Sequence, residues 1–178
     1  CVAYSAYFMA YRGDTLAQFL RNVAHIPVNL GVEIGHMWFI YMLLGLYMLV
    51  PIISPWLEQC SKRQLQGYLG VWAFTTLLPY IHLWFPEVWG ECFWNPTPML
   101  HYFTGFAGYF LLGYYIKRYG ALSVRNALLL LVGGYLFTVA VYQYRLDRVT
   151  LVSDLEVCWR FCSLNMMLMT YAMFSLVS

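Results

Sequence analysis

Charge is what this sequence has least of. Its 178 residues include ten Lys and Arg and eight Asp and Glu, so 10% are charged, against roughly 25% in a soluble globular domain. A soluble surface of this size needs more charge than that, so a soluble enzyme, a nucleic-acid binder and a disordered chain are excluded. Several chemical signatures are missing too. The four histidines show no H-E-x-x-H pattern and no pair four residues apart, and the five cysteines show no C-x-x-C spacing, which leaves little case for a metal or redox centre. There is no G-x-S-x-G, phosphate loop or dinucleotide fingerprint. No basic leader with a small-residue cleavage site marks a signal peptide.

What is there is apolar: 62% of residues are hydrophobic and 20% aromatic. Uncharged runs cover 1–11, 34–57, 64–86, 92–116, 126–144 and 161–178. The last five are close to the roughly 20 residues that cross a hydrocarbon core. The fold expected is all-α, a polytopic transmembrane helical bundle of about five full spans plus a partial one. The partial span is the helix tail at 1–11; the full ones fall near 36–56, 66–85, 98–117, 125–143 and 161–178. Both ends of the chain lie in apolar runs. The expectation is therefore a single transmembrane domain over 1–178 that is an internal piece of a longer protein.

The charges between the runs set an orientation. Glu58, Lys62 and Arg63 sum to +1, and Lys117, Arg118 and Arg125 to +3, whereas Glu87 and Glu91 stand at −2. Lys and Arg are retained on the cytoplasmic side, so loops two and four are expected inside, and loops one, three and five outside. The three Arg of loop five (Arg145, Arg148 and Arg160) would also suit the inside. The stretch from Pro86 to Pro98, with Trp89 and Trp94, reads as a structured loop with interfacial aromatics. Loop one (12–35) is the longest connection, contains the apolar stretch Ile26 to Ile34, and is expected to hold a short helix, either on the surface or re-entrant.

On this orientation His25, His36, His82 and His101 all fall in the outer half, with Glu33, Glu87, Glu91, Asp154 and Glu156. Such a set can move protons near neutral pH; equally, an interface gathers such groups because partial solvation lowers their cost. His36 stands at the outer end of a span, where an ionisable group is a functional candidate. His101, Thr104, Gly105 and Gly108 share one face if that span is helical. That face either lines a cavity around His101 or lets a neighbouring helix approach. Cys92 and Cys158 share the outer side and could pair, although five cysteines leave one over. The inner basic loops could hold an anionic donor, but charge sorting alone explains them.

The run His36-Met37-Trp38-Phe39-Ile40-Tyr41-Met42-Leu43-Leu44-Gly45-Leu46-Tyr47, closing on Pro51-Ile52-Ile53, resembles the H-x-W-F/Y-L-Y-x-L-x-G-L-Y…P-I segment of the acyltransferase 3 family. The run from Gly105 to Tyr115 is similar to a G-x-x-G-Y-x-x-L-G-Y-Y helix of that family, and Ser163-Leu164-Asn165 to its S-x-N element. The resemblance implies a roughly ten-span enzyme of the cell inner membrane that moves an acyl group, commonly acetyl, from cytoplasmic acyl-CoA to a hydroxyl of a surface or exported glycan. It implies acetyl-CoA or another acyl-CoA as donor substrate, no bound cofactor, and as partners the lipid bilayer and a carbohydrate acceptor. His36 is the catalytic candidate; Trp38, Glu33 and His101 are the substrate-binding ones. The Arg and His of the family's first helix and its Arg pair near the third match nothing here, so the fragment alone is expected to be inactive. Two other readings stay open: a multi-pass transporter, and a non-catalytic membrane scaffold.

Overall fold

A computed structural model of the chain describes residues 2–27, 39–88, 90–92, 95–98, 100, 103–150 and 152–178, with the side chains of 90–92, 95–98, 153 and 154 left aside. The chain divides into two compact units, Cys1–Ser54 and Pro55–Ser178.

The first unit holds α1 (Val2–Arg12), α2 (Leu16–His25) and most of α3 (Phe39–Gln59). Helix α1 is the tail expected at 1–11. Gly13, at φ 75°, turns the chain after it. Thr15 and Gln18 then start α2 with a reciprocal cap: the Gln18 amide donates to Thr15 Oγ1 at 3.3 Å and the Thr15 amide to Gln18 Oε1 at 2.8 Å. Leu16, Phe19, Leu20 and Val23 follow at helical spacing, opposite Gln18, Arg21, Asn22 and His25. No α2 residue is buried, so this short amphipathic helix has the build of one that lies in an interface. Loop one thus contains a short helix, at 16–25; most of Ile26 to Ile34 lies outside the described residues. The Tyr41 hydroxyl donates to the Ile26 carbonyl and ties the exit of α2 to the start of α3.

The second unit holds the end of α3, α4 (Lys62–Trp84), a two-stranded antiparallel ladder of β1 (Gly90–Cys92) and β2 (Asn95–Pro98), α5 (Ala107–Tyr119), α6 (Val124–Leu146), a 3-10 helix (Val152–Cys158) and α7 (Leu164–Val177). The ladder, with Cys92 opposite Asn95 and Gly90 opposite Pro98, is the structured loop expected at 86–98. Ser61 and Gln64 cap α4 as Thr15 and Gln18 cap α2, and Ser123 caps α6. Lys62 at the start of α4 lies 5.2 Å from the ring of Tyr119 at the end of α5. At the other end the ring of Tyr80 meets that of Phe137 at 5.4 Å. Loops two and four therefore share one end of this unit and loops three and five the other, the alternation read from their charges.

Among the described residues two helices, Phe39–Gln59 and Val124–Leu146, are long and apolar enough to cross a membrane by length and composition. At 21 and 23 residues they run about 31 and 34 Å. Their apolar side chains face outward: α3 buries Leu57 alone and α6 buries Ala127 and Gly134, while Ile52 is 71% and Leu129 66% exposed. Water would not tolerate such a surface; lipid would. The other expected spans come out differently. Helix α4 has 23 residues, but Gln64, Gln66, Thr75, Thr76 and His82 dilute its apolar character. Helix α5 has 13 residues and α7 has 14, about 20 Å each. The span expected at 98–117 begins nine residues late, at Ala107. The cause is a turn: Leu100 stands at φ 60° and Gly105 at φ 98°, which helical backbone cannot include.

Packing inside the second unit joins α4, α5 and α7 around Trp72, Leu112, Ile116 and Met167. Hydroxyls within the helices bond their own backbone: Thr75 donates to the Trp72 carbonyl at 2.6 Å, Thr76 to Ala73 at 2.7 Å and Thr170 to Met166 at 2.7 Å. Such bonds satisfy polar groups where water is absent, and the first two lie in the turn before Pro79. The Trp72 indole donates to the Gly105 carbonyl at 3.0 Å and lies against Gly108. A Cβ at Gly108 would fall 2.0 Å from that indole, and Trp72 is 1% exposed, so it has nowhere to move. Gly108→Ala should destabilise the protein by about 1–3 kcal/mol, read as a lower thermal midpoint in detergent. An unchanged midpoint would show that α5 can slide away from Trp72.

Candidate functional site

His36, Trp38, Glu33 and His101 lie outside the described residues. The structure does bear on the small-residue face proposed for His101. Thr104 and Gly105 sit in the turn before α5, with only Gly108 inside the helix. A face built from positions i, i+3, i+4 and i+7 therefore does not form. Of its two readings, the close approach of a neighbour holds at Gly108, where the neighbour is an indole ring.

Between α4, α6, α7 and the 3-10 helix lies a buried polar hub that the sequence reading did not single out as a site. It centres on Asn165, 1% exposed, in the first turn of α7 and half of the S-x-N element. Its side-chain oxygen accepts from Tyr80 Oη and from Ser163 Oγ, each at 2.7 Å. Its amide nitrogen donates to Thr138 Oγ1 and to the Cys158 carbonyl, each at 2.7 Å. All four hydrogen-bonding positions of the amide are filled. The Cys158 carbonyl can only accept, which fixes which side of the amide faces it. Three of the partners also have a carbonyl in reach: Val157 for Tyr80 at 3.3 Å, Arg160 for Ser163 at 2.7 Å and Gly134 for Thr138 at 2.8 Å. Gly134 keeps this corner tight, because a Cβ there would lie 2.6 Å from Met169 Cγ. The Cys158 thiol is free and fully buried. Burial pushes its pKa up, against a smaller downward pull from Arg145, so it is a poor nucleophile. Cys158 is therefore not paired with Cys92.

The opposite end of the unit gathers the cations of loops two and four. Arg118 Nη1 donates to the Leu57 carbonyl and to Tyr114 Oη, each at 2.7 Å, and Tyr114 Oη also donates to Leu57 at 3.1 Å. The end of α3 is thereby tied to α5. The Arg118 guanidinium lies 5.5 Å from the Tyr119 ring, the ring that Lys62 approaches from α4. Gln66 donates to Tyr115 Oη at 2.9 Å and closes the same seam. Arg63, Lys117 and Arg125 stand exposed nearby in sequence on these elements, with Glu58 as the one acid of the two loops. Aromatic rings beneath Lys62 and Arg118 hold two of the charges in place, and the arrangement suits a phosphate-bearing ligand. Among the described residues, no three His, Cys, Asp or Glu come together to hold a metal ion.

No curated protein and no solved structure matches the chain. The family model for an acyltransferase domain, that of the acyltransferase 3 family, matches residues 1–177. That match covers nearly the whole sequence and all three segments that resemble the family. The chain belongs to the acyltransferase 3 family.

Proposed function

We propose that this chain is part of an integral membrane O-acyltransferase that carries an acyl group, in the first instance acetyl, from cytoplasmic acyl-CoA to a hydroxyl of a surface or exported glycan. The observation that carries the reading is the family match over residues 1–177. Two lipid-ready helices and the separation of the loops to opposite ends support it. In this reading the domain over 1–178 lies in the cell inner membrane. The end with Lys62, Lys117, Arg118 and Arg125 faces the cytoplasm, where an acyl-CoA offers phosphates. On the orientation read from the loop charges, His36, Glu33, Trp38 and His101 belong to the outer side, where the acceptor is. A sugar hydroxyl attacks the acyl carbonyl carbon, either of the thioester itself or of an acyl-enzyme formed from it by an enzyme nucleophile. The hydroxyl proton passes to a base, and the group displaced from the acyl carbon, CoA thiolate or the enzyme nucleophile, takes up a proton. His36 orients or deprotonates a group there, and Trp38 forms a wall on which a sugar ring can stack.

The test uses sealed vesicles carrying the full-length protein and acetyl-CoA labelled in its acetyl group. Label should enter glycan when the donor is on the cytoplasmic face and should stay at the level of vector-only membranes when it is on the other. No labelled acceptor from either face would sink the reading. Proton-driven solute uptake in its place would favour a transporter, and neither activity a scaffold.

A further inference from the structure

Helix α5 has two distinct faces at its C-terminal end. Tyr114, Tyr115, Arg118 and Tyr119 make the aromatic seam, turned to the Leu57 carbonyl and to Gln66 and Lys62 of α4. Gly113, Ile116, Lys117 and Gly120 fall at i, i+3, i+4 and i+7 on the other side. That second face borders a cleft of about 680 Å³ whose opposite wall holds Phe174 and Val177 of α7. This is the size of a ligand site, about 300–1,000 Å³. The cleft is open sideways, with Phe174 38% and Val177 79% exposed. Its near wall is low: a Cβ at Gly113 would meet only the Phe174 ring, at 3.8 Å.

Charge and position together select the occupant. Lys117 is the one charged residue that lines the cleft. It is exposed, and among the described residues it makes no hydrogen bond or ion pair. Arg118 and Lys62, by contrast, are held on the seam across the helix. Loops two and four carry Lys62, Arg63, Lys117, Arg118 and Arg125 against Glu58 as their only acid, a net +4. Glu58 follows Leu57, whose carbonyl Arg118 takes on the far side of α5. The uncharged run 92–116 stops one residue short of Lys117, so its ammonium stands where an apolar core gives way to headgroups. An apolar helix packed here would bury that charge unmet. A lipid phosphate meets it, with an acyl chain for Ile116, Phe174 and Val177. Basic pockets between membrane helices on the cytoplasmic side hold acidic headgroups by this arrangement.

We propose that this cleft binds one anionic phospholipid of the adjoining leaflet, its phosphate at Lys117 and one acyl chain between α5 and α7. The site lies across the helix from the seam and stands independently of acyl transfer. The full-length protein, reconstituted in bilayers of equal phosphatidylglycerol and phosphatidylcholine and released into mild detergent, can be weighed intact with its retained lipid. The wild type should keep one phosphatidylglycerol, preferred about tenfold over phosphatidylcholine, the ratio expected from one charged hydrogen-bonding site. Excess CoA should not displace it. Lys117→Gln should bring the two lipids to equal retention, Lys117→Arg should keep the preference, and Arg63→Gln should leave it unchanged. Gly113→Leu, which fills the apolar half of the cleft, should lose both lipids. No retained lipid in the wild type would mean that another protein segment covers the cleft and would overturn the proposal. So would an undiminished preference in Lys117→Gln, or an equal loss of preference in Arg63→Gln, the mark of a diffuse field. Displacement of the lipid by CoA would give Lys117 to the donor and overturn it too. If Lys117→Gln fails to fold, Gly113→Leu decides: lipid kept as in wild type overturns the proposal, and lipid lost upholds it.

Discussion

His36→Ala in the full-length protein is expected to abolish measurable acyl transfer, a fall of about 10²–10⁴-fold, the usual contribution of a positioned acid or base. Membrane insertion and yield should be unchanged. The expectation rests on sequence: His36 opens the H-x-W-F run two residues before Trp38, directly ahead of α3, whose described part begins at Phe39. A histidine there can exchange a proton near neutral pH, since its ordinary pKa is about 6.5. The wild-type rate should therefore fall on the acid side of neutrality if His36 acts as a base. His36→Gln, which keeps a hydrogen bond but not the titration, should flatten that limb. Undiminished transfer in His36→Ala would remove the residue from the catalytic account.

Asn165→Asp should be among the most destabilising single-atom changes available to this chain, and its cost should depend on pH. The Cys158 carbonyl lies 2.7 Å from the Asn165 nitrogen and has to meet a donor. An ionised carboxylate offers none, so the folded protein would hold the new acid protonated. Keeping a carboxyl neutral at pH 7 against an ordinary pKa of about 3.9 costs about 4 kcal/mol. Its folded pKa is raised, so the cost is absent below the unfolded pKa near pH 4 and grows as pH rises towards the folded value. Asn165→Ala should cost less, about 2–3 kcal/mol. Tyr80 and Ser163 can each turn to a neighbouring carbonyl and Thr138 already donates to that of Gly134, which leaves the Cys158 carbonyl and a small void. Unfolding in mixed micelles at pH 7 and pH 4.5 measures both variants. Asp no worse than Ala at pH 7 would show that water reaches the hub.

How much of this could be read beforehand depended on the range of the interaction. Gaps between charges locate apolar helices because hydrocarbon excludes charge wherever the chain folds, and α3, α6 and the alternation of the loops follow from that alone. Local chemistry was also legible, as in the Thr15 and Gln18 cap followed by apolar residues at 16, 19, 20 and 23. The start of α5 was misread because apolar content is indifferent to φ, and it was Leu100 and Gly105 that broke the helix. The hub was invisible for a different reason. Asn165 meets Thr138 27 residues away and Tyr80 85 residues away, and no spacing rule links them. The faint signal was an Asn and a Thr inside otherwise apolar runs, which bilayer helices keep for contact with one another. Residues 33, 36, 38 and 101, chosen for their chemistry, fall outside what the structure describes.

The late start of α5 has a consequence for water. Thirteen helical residues account for about 20 Å of the roughly 30 Å of a bilayer interior. The backbone of 103–106, tied to Trp72 through the Gly105 carbonyl, carries the chain through part of the remainder without a helical ladder. Lipid cannot satisfy the amides of such a segment, so at that depth it has to face either protein or a wet cavity. The short helix thereby leaves the backbone of 103–106 to be met by protein, as Trp72 meets the Gly105 carbonyl, or by water entering from the side of loop three.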